Sequence, residues 1–219
     1  VNDAPIAGTI DNQEIDEDSF LIVPAFASDI DSGTLSFSLA VDGSATVDQD
    51  ALTVTPTENF NGDIIVTVTV SDGDVDNSLS DSTSFILTVN PVNDAPTLDA
   101  IDDGSVAEDG VYTTQLSGAD IDGDSLTFQA SVDANGSVSV DGSTLTVTPD
   151  ADYNGDILVS VLVSDGQASG SGSFTLTVTP VNDAPIAGTI DNQEIDEDSF
   201  LIVPAFASDI DSGTLSFSL

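Results

Sequence analysis

The sequence predicts an all-β chain built as a linear array of seven-stranded, antiparallel Greek-key β-sandwiches. Three observations predict it. The string Val-Asn-Asp-Ala-Pro recurs at residues 1–5, 92–96 and 181–185, and a fixed period of this length marks a repeat architecture. Within each repeat, short runs alternate apolar and polar residues with period two. Turn residues separate the runs, and no stretch combines helical periodicity with helix caps.

The repeats divide the chain into copy 1 (residues 1–91), copy 2 (92–180) and the opening part of copy 3 (181–219). Residues 181–219 repeat residues 1–39 without a change. They are too few to close a third sandwich, so a frayed or partner-dependent end is expected there, and the chain reads as a segment of a longer array. In copy 1 the first strand falls around residues 6–15 and has the weakest pattern. Strands at 19–24, 34–39, 45–47, 51–55, 64–70 and 84–89 follow. The sixth puts Ile64, Val66, Val68 and Val70 on one face, matched in copy 2 by Ile157, Val159, Val161 and Val163. In the last, Phe85, Leu87 and Val89 match Phe174, Leu176 and Val178. The opposite faces are largely Thr and Ser, with Ile65, Ile86 and Leu162 as exceptions. One apolar face and one solvated face suit two packed antiparallel sheets. Seven such strands in about 90 residues indicate an immunoglobulin-like sandwich. Copy 2 is longer than copy 1 before Thr148 and shorter after Asp165, and both sites are expected to be loops. Phe60 and Tyr153, each ahead of Asn-Gly-Asp, read as core aromatics beside a tight turn.

Composition narrows the chemistry. The 219 residues carry 40 Asp plus Glu and no Lys, Arg, His, Cys, Met or Trp, for a formal charge of −40. No side-chain ion pair can form, so each carboxylate must face water, accept hydrogen bonds or meet a metal. A Ser-His-Asp triad, a thiol nucleophile, an ordinary zinc site, a Schiff-base lysine and an arginine phosphate clamp are all excluded. A carboxylate pair for glycoside hydrolysis remains conceivable, but the repetition of the acids argues against an active site. Nucleic acid and anionic membranes are repelled. No run approaches the ~18 apolar residues of a membrane helix. At 39% apolar residues the chain can still build cores, so its acidity does not mean disorder.

The acids stand at fixed places. Asn-Asp opens each repeat at Asn2 and Asp3, Asn93 and Asp94, and Asn182 and Asp183. A Glu follows the first strand at Glu17, Glu108 and Glu197. Asp-x-Asp follows the second strand at Asp29 and Asp31, Asp120 and Asp122, and Asp209 and Asp211. A single Asp ends the sixth strand at Asp72 and Asp165, and copy 2 adds Asp150-x-Asp152. In an antiparallel sandwich the loops after the second and sixth strands share one end and face the incoming linker. The Glu, with Asp150 and Asp152, belongs to the opposite end. A junction then collects Glu17, Asn93, Asp94, Asp120, Asp122 and Asp165. Empty, such a set is repulsive and its pKa values rise. Calcium, which takes six to eight oxygen ligands in flexible geometry, suits it better than magnesium. The run Asp72-x-Asp74-x-Asp76 imitates an EF-hand start without its glycine and reads as a solvated hairpin. Asp11, Asp102 and Asp103 read as surface charge, and Asn135-Gly136 as a turn.

On these motifs the chain resembles the cadherin-like tandem repeats of large bacterial surface adhesins, many exported by type I secretion. Val-Asn-Asp-Ala-Pro is similar to the cadherin interdomain linker, though Ala95 and Ala184 stand where that linker has a second Asn. The Asp-x-Asp pairs, Asp72, Asp165 and the loop Glu residues match that family's motifs. Asp150-x-Asp152 falls at its Asp-Arg-Glu position, where copy 1 has Thr57-Glu58-Asn59 and is expected to hold fewer ions. The resemblance implies calcium between successive domains, one to three ions per junction, holding a rod straight. It implies a non-enzymatic extender on a bacterial cell surface, with neighbouring repeats as its partners. The alternatives are a binding module for homophilic or polysaccharide adhesion, with residues 73–84 as its best loop, and a salt-adapted repeat without specific calcium sites.

Overall fold

The computed structural model describes residues 2–31, 34–41, 45–49, 51–73 and 78–218. It is all-β, with tandem immunoglobulin-like sandwiches as the sequence predicts. The chain falls into two compact units, Val1–Asn93 and Asp94–Leu219.

In the first unit the strands are β1 (Ile6–Ala7), β2 (Gln13–Asp16), β3 (Leu21–Ile22), β4 (Ala27–Ser28), β5 (Ser36–Val41), β6 (Ala45–Asp48), β7 (Thr53–Pro56), β8 (Gly62–Ser71) and β9 (Ser80–Asn90). One sheet runs β2-β9-β8-β5 and the other β3-β7-β6, with β1 paired to β4. The expected first strand is therefore two pieces that join different partners. Asn12 marks the switch, its side-chain oxygen accepting the Ile86 N–H at 3.0 Å. The expected strand at 19–24 shrinks to β3, because Pro24 has no N–H to continue the ladder. The last strand begins at Ser80, so the second part of the expected loop at 73–84 is ladder, and Asp74 and Asp76 lie outside the described residues. Between the sheets lie Val54, Ile64, Val66, Leu87 and Val89, all essentially buried. Each contributes about 1.5–3 kcal/mol.

The second unit repeats the plan. Its strands are β10 (Thr97–Leu98), β11 (Gly104–Ala107), β12 (Tyr112–Gln115), β13 (Gly118–Ala119), β14 (Thr127–Val132), β15 (Gly136–Asp141), β16 (Thr144–Pro149), β17 (Gly155–Ser164) and β18 (Ser169–Thr179). The sheets are β11-β18-β17-β14 and β12-β16-β15, with β10 on β13. Leu145, Val147, Ile157, Val159 and Leu176 fill the core. The residues that lengthen copy 2 before Thr148 do not form a loop. They extend the β15–β16 ladder to Asp141↔Thr144, closed by a tight turn with Gly142 at φ 60°. In copy 1 the equivalent ladder stops at Asp48↔Thr53. The extra residues of copy 1 fall in the sequence between the paired Ser71 and Ser80, where copy 2 turns between Ser164 and Ser169, and residues 74–77 of that stretch lie outside the described residues.

The described part of copy 3 forms only β19 (Ile186–Ala187) on β20 (Ala207–Ser208). Residues 193–196 and 201–202 are not strands, although their twins are β2 and β3. In copy 1 those strands lean on β9 and β7.

Candidate metal centre

Parallel pairing of β2 with β9 and of β11 with β18 sets the site. Parallel strands finish at the same end, so the residue after β2 meets the chain leaving β9. Glu17 gives its N–H to Asn90 O at 3.0 Å, and its Oε1 accepts the Val92 N–H at 2.5 Å. Copy 2 repeats this: Glu108 N bonds Thr179 O at 2.9 Å, and Glu108 Oε1 accepts the Val181 N–H. Both Glu residues are 5% exposed. Glu17 Oε2 is buried without a hydrogen-bond partner among the described residues, and Glu108 Oε2 meets Asn154 Nδ2 at 3.4 Å.

At the opposite end the linker docks on the Asp-x-Asp loop in the same way three times. The N–H groups of Asp3, Asp94 and Asp183 bond Oδ2 of Asp31, Asp122 and Asp211 at 3.0, 2.8 and 2.5 Å. Those Asp residues in turn give their N–H to Oδ1 of Asp29, Asp120 and Asp209. Asn2 Nδ2 reaches Asp72 Oδ2 at 2.7 Å, and Asp72 also takes the Leu79 N–H. Asp165 caps its hairpin, accepting the N–H groups of Gln167 and Ala168 at 2.6 Å. Asn93 is the last residue of the first unit, and the Asn182 amide turns onto the carbonyl of Asp183.

Within the second unit these ends converge. Glu108, Asp183 and Asp211 each offer an oxygen within 4.8 Å of the others, and so do Asp109, Asp152 and Asp183. Asp183 belongs to both triads. Its Oδ2 is buried and has no hydrogen-bond partner among the described residues. Its pKa is raised, first by burial and then by Asp152, Asp211, Asp109 and Glu108. With no side-chain cation nearby, these four neighbouring carboxylates disfavour the ionised form of Asp183. The all-oxygen donor set and the stranded Oδ2 fit a hard divalent cation.

Asp150 is not part of either triad. It turns the backbone instead, giving its N–H to Asn135 O and accepting that of Tyr153. Asp109 is the residue the motif reading passed over. Its signal was present as a Glu-Asp pair at 17–18, 108–109 and 197–198. In all three copies that Asp has a positive φ, 61°, 60° and 64°, which few non-glycine residues adopt. Asp103 is more than surface charge, because its Oδ1 accepts the Thr175 N–H at 2.7 Å, as Asn12 does for Ile86. Tyr153 packs against the core as expected and gives its hydroxyl proton to Asp156 O at 2.9 Å. Asn135 stands in a turn at φ 60°.

Fold and site together define a tandem array of immunoglobulin-like sandwiches, with acidic clusters able to coordinate a divalent cation. A family model described as a bacterial Ig domain matches residues 2–86 and 93–179, and the chain belongs to that family. Chitinase A of Pseudoalteromonas piscicida is 31% identical over 187 residues, which are 81% of this chain and 22% of that protein. The chain thus spans under a quarter of the length of that relative. Among solved structures, Drosophila N-cadherin EC1-4 is 18% identical at TM-score 0.40, over 97% of this chain and 61% of that one. Human protocadherin-24 EC1-2 is 11% identical at TM-score 0.44, over 83% of this chain and all of that one. An endo-fucoidan hydrolase of glycoside hydrolase family 107 is 20% identical at TM-score 0.33, over 81% and 29%. Scores this low carry no argument about the present chain. No helix among the described residues is long and apolar enough to cross a membrane.

Proposed function

We propose that the chain is a calcium-rigidified extender of a bacterial cell-surface adhesin, spacing a binding domain away from the cell. The observation that carries this reading is Asp183 Oδ2, buried and without a hydrogen-bond partner among the described residues where two carboxylate triads meet. The ligands we assign at the end of copy 2 are Glu108, Asp109, Asp152, Asn182, Asp183, Asp209 and Asp211. The sequence repeat extends the assignment to Glu17, Asn93, Asp94, Asp120, Asp122 and Asp165, and to Asn2, Asp3, Asp29, Asp31 and Asp72. Calcium would supply the positive charge that the side chains lack, tying the end of a sandwich to the linker that leaves it. Glu108 holds the linker through the Val181 N–H, and Asp211 holds it through the Asp183 N–H. The placement follows: an extracellular fluid with millimolar calcium stiffens the array, and a cytosol poor in free calcium leaves it loose for export.

Calcium titration calorimetry of the 219-residue chain in near-physiological salt tests the reading. Saturable uptake is expected, weakened on the order of tenfold in Asp183→Asn, because ligand charge sets affinity in such sites. An absence of heat and of any stability change up to millimolar calcium would instead make the acidity a general salt adaptation.

A further inference from the structure

Asn-Gly occurs three times, at Asn61-Gly62, Asn135-Gly136 and Asn154-Gly155. Asparagine is a thermolabile residue, and a following glycine has no side chain to keep its backbone nitrogen away from the carboxamide. The nitrogen can attack only where the ladder leaves it free. Residue pairs of an antiparallel ladder alternate between exchanging both N–H···O bonds and exchanging none.

Two of the three glycines are tied down. The Asp72 N–H bonds Leu79 O just beyond Ser71↔Ser80, and the β8–β9 register runs unbroken from there to Gly62↔Val89. The alternation makes Gly62↔Val89 a bonded pair, with the Gly62 N–H held by Val89 O. The unbonded pairs between bring side chains together: the hydroxyls of Thr67 and Ser84 lie 3.0 Å apart, and Thr88 Oγ1 donates to Asp63 Oδ1 at 2.8 Å. In β17–β18 the matching bond from Thr177 Oγ1 to Asp156 Oδ1, at 2.8 Å, sets the same alternation. Gly155↔Val178 is then a bonded pair as well. The Asn154 carboxamide is also engaged, with Glu108 Oε2.

Gly136 is placed differently. The Asp150 N–H bonds Asn135 O at 2.9 Å, so the next pair, Gly136↔Pro149, is an unbonded one. Proline holds such a position without losing a ladder bond. The Gly136 N–H points away from β16, and β15 is the outer strand of its sheet. Asn135 itself is exposed in a turn at φ 60°. The glycine that makes the pair labile is needed there, because a Cβ would meet Thr148 O at 2.9 Å. Copy 1 has no Asn between β5 and β6.

We infer that Asn135 is a site of self-modification, converting to aspartate and isoaspartate while the ladder holds back Asn61 and Asn154. Gly136 N attacks Asn135 Cγ and a new C–N bond forms. The Cγ–Nδ2 bond breaks, and ammonia leaves with the proton of the Gly136 amide. The cyclic succinimide then takes up one water. Opening at Cγ gives aspartate, and opening at the backbone carbonyl carbon gives isoaspartate. One water enters, one ammonia departs, and nothing is oxidised or reduced. Either product adds a negative charge, and isoaspartate lengthens the main chain by a methylene. That displaces the carbonyl that accepts the Asp150 N–H and loosens the β15–β16 ladder at this end. The second sandwich thus carries a clock that the first lacks.

The test ages the 219-residue chain at mildly alkaline pH and body temperature, with far-UV circular dichroism to follow the fold. Chymotrypsin then digests it, since a chain without Lys or Arg offers trypsin no site. Cuts after Phe60, Phe128 and Tyr153 put the three Asn residues on separate peptides. The Asn135 peptide is expected to gain about one dalton on the order of tenfold faster than the other two, whose reaction waits on local opening. Labelling by isoaspartyl methyltransferase is expected on the same peptide. In concentrated urea all three should convert at similar rates. Amide exchange at Asp150 is expected to be faster in the isoaspartate form, which its added charge lets ion exchange separate. If Asn61 or Asn154 of the folded chain converts as fast as Asn135, the inference is overturned. It is equally overturned if Asn135 persists in the folded chain while converting in urea. Unchanged exchange at Asp150 would overturn the loosening of the ladder.

Discussion

Gly155 opens β17 at φ 138° with the Tyr153 ring above it, so a Cβ there would meet the tyrosine hydroxyl at 2.8 Å. Gly62 repeats this at φ 133° beneath Phe60. Gly155→Ala is therefore expected to destabilise the second sandwich by about 1–3 kcal/mol, from strain at a conformation reserved for glycine. A lowered urea midpoint at unchanged m-value reads it. Asp81 shows a different single-residue dependence. Its Oδ2 accepts the Ala7 N–H at 2.9 Å and tethers β1 to β9. That bond, with a further one from the Ser82 backbone, lowers its pKa. A depressed carboxylate pKa means that the folded state binds fewer protons than the unfolded one. The tether thus contributes above the ordinary carboxylate pKa of about 3.9 and is lost as pH falls through the lower folded value. Asp81→Asn is expected to flatten the acid limb of copy 1 stability, leaving the second sandwich, where Gly170 stands at the matching place, unchanged. Amide exchange at Ala7 as a function of pH measures it.

At the scale of the element, the β8–β9 and β17–β18 hairpins are the spine of each sandwich. Their inner faces are closed, and their outer faces carry Thr and Ser with Leu158 and Leu162 partly exposed. Leu176→Ala is expected to cost about 2–5 kcal/mol, because it leaves a cavity in a fully buried position. Leu162→Ala, on the same ladder and facing outward, is expected to cost about 1 kcal/mol or less. Thermal melts of the two variants separate the faces, and equal losses would mean that the outer face is covered. The hairpin turns show how length change is absorbed. Copy 2 uses its extra residues before Thr148 for more ladder, whereas those of copy 1 fall in the sequence between the paired Ser71 and Ser80.

For the whole molecule the governing fact is 40 carboxylates without a side-chain cation. Self-repulsion on that scale opposes compaction, and any cation that binds only the folded state stabilises it by mass action. Calcium at ~100 times its dissociation constant is expected to contribute about 2.7 kcal/mol per site. Excess chelator is expected to return the melting temperature to the metal-free value. Sodium chloride at matched ionic strength is the control. If it reproduces the whole shift, the effect is screening and not ligation.

The sequence determined the period, the all-β class, the core faces and most of the acid positions. Each of these is written locally, in alternation, in turn residues and in the spacing of Asp and Glu. It also carried Asp109, but only as half of an adjacent acid pair. The repeated segment shows where local information ends. Residues 13–16 and 21–22 form β2 and β3, while the identical residues 193–196 and 201–202 form no strand. Ile195, Leu201 and Val203 are exposed where their twin Val23 is buried and Ile15 and Leu21 pack on the core. The same side chains carry the same propensity in both places. What differs is the presence of β7 and β9 to complete their hydrogen bonds and cover their apolar faces. A strand's pairing partners come from distant sequence, so only the tertiary structure decided which of two identical segments became part of a sheet.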